Sequence, residues 1–113
     1  MGVGMQFAYM GFVGSPEIES EASVQLVRID RFAQRVAGCH LALEALRNLD
    51  GSRSYDARLD LITRDYNMIP VEHVTHSDPQ VAIRAAFDSA VRLLEKEGAS
   101  VGWIVDADLR DEK

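Results

Sequence analysis

The sequence predicts an α+β fold: a two-layer sandwich of order β-α-β-β-β-α, with a four-stranded mixed sheet and two helices on one face. Two segments repeat apolar residues at helical spacing behind clear cap signals. Between them, runs of residues alternate apolar and polar with a period of two. A chain of 113 residues is also the size of one domain with one core.

Residues 1–4 read as a flexible leader, with Met5 as an alternative start. MQFAYMGF, residues 5–12, is aromatic-rich and alternating, as a first strand should be. SPEIESEASVQLVRIDRFAQRVAG follows as a helix. Ser15 suits its cap, Pro16 its first position, and Glu17 and Glu19 its positive dipole end. Ile18, Ala22, Leu26, Ile29, Ala33 and Val36 mark its apolar face, and Gly38 its end.

CHLALEAL, residues 39–46, alternates Cys39, Leu41, Leu43 and Ala45 against His40, Ala42 and Glu44, which predicts a half-buried strand. The single cysteine has no disulfide partner within the chain, and it reads as a small buried hydrophobe. RNLDGSRS makes a turn around Asp50-Gly51. SYDARLDLIT then sets Tyr55, Ala57, Leu59 and Leu61 against Asp56, Arg58 and Asp60. After a turn at RDYN, MIPVEHV is the fourth strand, at a sheet edge because Pro70 cannot donate to a ladder.

HSDPQVAIRAAFDSAVRLLEKEG closes the domain as a helix ending at Gly98. Asp78 caps it, and Pro79 opens it. Ile83, Phe87, Ala90 and Leu94 form its seam, flanked by Ala86 and Val91. The domain thus spans 5–97. The crossover helix makes the first two strands parallel, and the last three form an antiparallel meander.

SPEIESEASVQLVRIDRF resembles the first helix of the ribosome hibernation-promoting factors, also called ribosome-associated inhibitors. In that family a Thr/Ser-Pro-x-Ile opening leads to a Leu-x-Lys-Leu-x-Lys-aromatic ending, here Leu26, Val27, Arg28, Ile29, Asp30, Arg31 and Phe32. HSDPQVAIRAAFDSAVRLLEKE is similar to the family's second helix at Asp78, Ala82, Ile83, Arg92, Leu94 and Lys96. The resemblance covers residues 5–97 and implies a shape like that of double-stranded-RNA-binding domains. It implies a partner of the small ribosomal subunit that blocks translation under stress, and the lack of a secretory signal pattern at the N-terminus predicts a cytoplasmic protein. On this resemblance the expected form is the family's short one, which lacks the C-terminal domain that pairs ribosomes.

Such a role requires cations facing rRNA phosphates. Arg28, Arg31 and Arg35 share one helix face; Arg84, Arg92 and Lys96 come from the second helix. These six are the expected RNA-binding residues. Arg47, Arg53, Arg58 and Arg64 add cations on strands and loops. All 12 bases except Lys96 and Lys113 are arginine, whose planar fork suits phosphate oxygens.

The opposing reading rests on charge. The net charge of −6 runs against nucleic acid on totals alone. Arg84, Asp88 and Arg92 lie four apart and fit a solvated ladder equally well. Glu17, Glu19 and Glu21 stand where the family tends to be neutral or basic, Ser89 where a lysine is common, and Gln25 where an arginine occurs. A divergent acidic member acting through protein contacts fits these departures.

His40, His73 and His76 read as surface histidines, with no metal or other cofactor expected. No phosphate loop or nucleophile elbow occurs, so no enzymatic activity is expected. No apolar run reaches the roughly 18 residues of a membrane span. Val101, Trp103, Ile104 and Val105 make the 98–113 tail apolar enough to add a strand at an edge, with a homodimer as one outcome.

Overall fold

Ser15 Oγ accepts the Ile18 amide at 3.3 Å, and Pro16 fills the first helical position, so the first helix starts where its cap signals lie. The computed structural model describes residues 3–102, with side chains placed through residue 96. The elements are β1 (Gly4–Met10), α1 (Pro16–Leu26), a 3-10 helix (Val27–Phe32), β2 (Val36–Arg47), β3 (Arg53–Thr63), β4 (Met68–Pro70), β5 (Val74–His76) and α2 (Pro79–Gly102). The sheet runs β1-β2-β3-β4, and β5 also pairs with β3. β1 and β2 are parallel, and every other pair is antiparallel. The architecture is the predicted α+β sandwich.

One sheet face carries Cys39, Leu41, Leu43, Ala57, Leu59 and Leu61 into the core. Ile18, Ala22 and Ile29 meet them from the first helical layer, and Ile83, Phe87, Ala90 and Leu94 from α2. All of these belong to the apolar sets read from the sequence.

Five details depart from expectation. Residues 3 and 4 are not leader: the Val3 amide donates to Asp30 Oδ1 at 3.1 Å, its side chain is buried, and Gly4 pairs with Gly38. The first helix changes its winding at Val27, where β-branched Val27 and Ile29 and then Asp30 weaken α-helical preference. Ala33 donates back to the Asp30 carbonyl at 3.0 Å, the shorter 3-10 repeat. Val36 is buried as predicted, but in β2, which starts before Cys39 with an irregularity between Val36 and Gly38.

MIPVEHV forms two short strands rather than one. Pro70 has no amide to offer, Val71 turns inward to donate to the Leu59 carbonyl at 2.9 Å, and pairing resumes at Val74. Finally, α2 passes through Gly98 to Gly102. One glycine costs a helix about 1 kcal/mol against alanine yet leaves its hydrogen-bond ladder intact. Residues 98–102 are therefore helical rather than part of an added strand. Trp103, Ile104 and Val105, with the proposed edge strand and homodimer contact, lie outside the described residues. Among those described, no helix is long and apolar enough to cross a membrane.

One close approach fixes a glycine. A Cβ on Gly14 would stand 1.9 Å from the Tyr9 ring, which stacks on Phe7 and meets Phe12 edge-on. Tyr9 donates its hydroxyl to Glu19 Oε2 at 3.2 Å, tying β1 to α1. Burial, and then Glu19, push its phenol up to about 12.

Candidate nucleic-acid interface

The first helical layer and α2 lie side by side and run the same way, because three ion pairs climb both together. Arg84 Nη2 is 3.0 Å from Glu21 Oε1, Arg28 Nη1 is 2.7 Å from Asp88 Oδ1, and Arg31 Nη2 is 2.6 Å from Glu95 Oε2. Three of the six predicted RNA-binding residues thus face carboxylates of the neighbouring helix. Asp88, read in sequence as a rung between Arg84 and Arg92, instead reaches across to Arg28.

The pairs differ in setting. Arg31 and Glu95 are 57% and 53% exposed, whereas Glu21 is only 14% exposed. The Arg84 hydrogen bond holds the Glu21 carboxyl below its ordinary value, and Glu21 in turn raises Arg84. Glu21 also accepts from Gln25, whose carbonyl oxygen accepts from Arg28, so Glu21, Gln25, Arg28 and Asp88 form one chain of hydrogen bonds.

The other three predicted residues are placed differently. Arg35 Nη2 donates to the Leu94 carbonyl at 2.9 Å. Arg92 Nη2 donates to Ser89 Oγ at 3.1 Å. Lys96 lines, with Arg92, an open groove of about 380 Å³ whose other wall is Pro70, Val71 and Glu72. Among the described residues, none of the three meets a carboxylate at ion-pair distance.

Arg64 joins this group. Its amide donates to the Arg35 carbonyl at 3.0 Å and its Nε to the Ala33 carbonyl at 2.8 Å, fastening the β3–β4 turn to the end of the 3-10 helix. Arg35 and Arg64 therefore stand together where the β3–β4 turn meets Leu94 of α2, and Arg92 and Lys96 lie in the same half of α2 along the groove they share with Pro70, Val71 and Glu72. Phe32 lies between Arg31 and Arg35, with guanidinium carbons 4.5 and 5.3 Å from its ring centre. Flat cations over an aromatic face attract its quadrupole and are held in place. Arg31-Phe32-x-x-Arg35 carried that signal in the sequence.

The remaining bases lie elsewhere. Arg58 is 3.6 Å from Asp56, on the open sheet face. Arg47 and Arg53 sit opposite each other at the far end of the β2–β3 hairpin. The histidines do not converge: His73 Nδ1 is 3.5 Å from Asp56, His76 Nδ1 accepts the Asp78 amide at 3.0 Å, and His40 is an exposed residue of β2 in register with Gln6 and Asp60.

No protein-family profile matches the chain. No curated protein sequence matches it either. Solved structures do. The Protein Y N-terminal domain of Thermus thermophilus superposes with a TM-score of 0.65 at 14% identity, over 85% of this chain and 98% of that one. A ribosomal subunit interface protein from Coxiella burnetii superposes with a TM-score of 0.64 at 16% identity, over 86% and 99%. In agreement with the resemblance carried by its two helices, the chain has the fold of these proteins over almost their whole length.

Proposed function

We propose that this chain is a ribosome-associated translation inhibitor, a non-enzymatic cytoplasmic hibernation factor that occupies small-subunit rRNA. The observation that carries the reading is that Arg35, Arg64, Arg92 and Lys96, set around the C-terminal half of α2, meet no carboxylate at ion-pair distance among the described residues, in a molecule whose total charge is −6. Local charge density, not the total, decides whether phosphate binds. The fold supports it too, since one neighbour of the same architecture is named a ribosomal subunit interface protein.

Within this reading the six expected contacts divide. Arg35, Arg92 and Lys96 meet phosphate directly. Arg31 joins them by exchanging Glu95 for phosphate, because a pair exposed on both sides is worth only about 0–1 kcal/mol. Arg28 and Arg84 chiefly latch the helices, with Arg84 tied to a largely covered Glu21.

A second reading draws on the same ion pairs. Carboxylates covering three of six expected arginines favour an acidic family member that acts through protein contacts. Cosedimentation with purified small subunits at low salt separates the two. The first reading expects the wild-type chain to pellet with subunits, and an Arg92→Ala/Lys96→Ala variant to pellet less. A wild-type chain left in the supernatant even at low salt removes the RNA reading and leaves the protein-contact one.

A further inference from the structure

Tyr66 sits in the β3–β4 turn with φ of 67°, the one non-glycine residue of positive φ among those described. A bulky side chain rarely adopts this left-handed conformation, which glycine takes without steric cost. The ring gains no packing in return, being 88% exposed. Strain of this kind persists where the surroundings over-determine it, and it gathers at functional positions.

The surroundings do over-determine it. Thr63 donates its amide to the Asn67 carbonyl at 2.8 Å, Tyr66 donates to the Thr63 carbonyl at 3.0 Å, and Asn67 donates to Thr63 Oγ1 at 3.0 Å. Asp65, the acid next to Tyr66, is drawn into the same turn by the Thr63 hydroxyl and by Asn67 Nδ2. The turn is fixed in its turn to the 3-10 helix through Arg64. Among the described residues, Arg64 and Arg35 each spend one side-chain N–H on a backbone carbonyl and none on a carboxylate, so the rest of each guanidinium is available to a ligand. Of the other acids nearby, Glu95 is engaged by Arg31 and Asp30 by the Val3 amide, while Glu72 lines the groove beside Arg92 and Lys96.

An exposed ring on a rigid turn, beside partly used guanidiniums, is the combination that holds single-stranded nucleic acid: bases stack on the ring and phosphates meet the cations. We propose that Tyr66 is a stacking platform for an unpaired RNA base, with Arg64 and Arg35 on the adjoining phosphates. The proposal rests on the RNA reading above and adds to it a preference for unpaired nucleotides.

The test is fluorescence anisotropy of the whole chain with a short labelled single-stranded RNA and with an RNA duplex of equal length. Tyr66→Gly should weaken single-strand binding roughly tenfold, leave duplex binding unchanged, and leave the melting midpoint unchanged or higher. Tyr66→Trp should retain single-strand binding. If Tyr66→Gly binds the single strand as the wild type does, or loses both RNAs equally, the platform is overturned while the RNA reading stands. If the wild-type chain binds neither RNA nor small subunits, the RNA reading fails and the platform falls with it.

Discussion

Arg84 on α2 and Glu21 on α1 stand 3.0 Å apart, and each shifts the other's titration toward the charged form. This pair is the lowest rung of a ladder continued by Arg28–Asp88 and Arg31–Glu95, which ties two parallel helices together on their outer side. The arginines that first suggest a nucleic-acid surface are in good part spent on holding that surface together.

Acid should therefore loosen the lowest rung in a defined direction. Because the folded-state Glu21 value is lowered, its contribution is complete above the ordinary unfolded carboxylate value, about 4.3, and is lost as pH falls through the lowered one. In thermal melts against pH, Glu21→Gln should be less stable than wild type at neutral pH. The gap should close as pH drops through the Glu21 value. A gap that stays constant into acid would contradict the assignment.

The middle rung is open to a double-mutant cycle. Arg28→Ala and Asp88→Ala should couple by about 0.5–1 kcal/mol in urea unfolding, the range for a well-formed pair that is half exposed. Arg28→Ala should cost less small-subunit affinity than Arg92→Ala, since its guanidinium already has a carboxylate. The reverse ranking would place Arg28 among the phosphate contacts.

These rungs also mark the limit of what the sequence makes legible. The seams Ile83-Phe87-Ala90-Leu94 and Cys39-Leu41-Leu43 follow from periodicity, because burial of one face is a local pattern with a global cause. Asp88 looked like the partner of Arg84 and Arg92, four residues either way, yet its partner Arg28 lies sixty positions back. Which cation wins depends on how two helices sit side by side, and no one-dimensional spacing records that. The split of MIPVEHV was half visible in Pro70, whereas the inward turn of Val71 to Leu59 was not. Of the proposed contacts, Arg35, Arg92 and Lys96 were legible as cations; that Arg64 and Tyr66 lie beside Arg35 depends on the β3–β4 turn docking against Ala33 and Arg35.

Cys39 should be chemically silent in the native state. It is buried, and burial followed by the charge of Asp30 pushes its thiol up to about 12, so almost no thiolate exists at neutral pH. A thiol-reactive disulfide reagent at pH 8 should leave the folded chain unlabelled and modify it fully in denaturant. Rapid labelling of the folded chain would show that β2 does not seal the thiol.

Phe87 lies at the centre of the helix-to-sheet contact with no solvent exposure. Its truncation in Phe87→Ala should cost about 3–5 kcal/mol in denaturant unfolding, transfer and cavity contributions together. A loss below about 1 kcal/mol would mean that α2 does not pack on the sheet through this seam.

The most direct measurement of the central claim is the salt dependence of small-subunit binding for wild type and for Arg92→Ala/Lys96→Ala. Each phosphate contact releases counterions and adds about 0.7–0.9 to the slope of log affinity against log salt concentration. Removal of both cations should lower that slope by roughly 1.5 and weaken binding at low salt, with the melting temperature nearly unchanged. Equal slopes for the two proteins would mean that this end of the molecule does not meet phosphate.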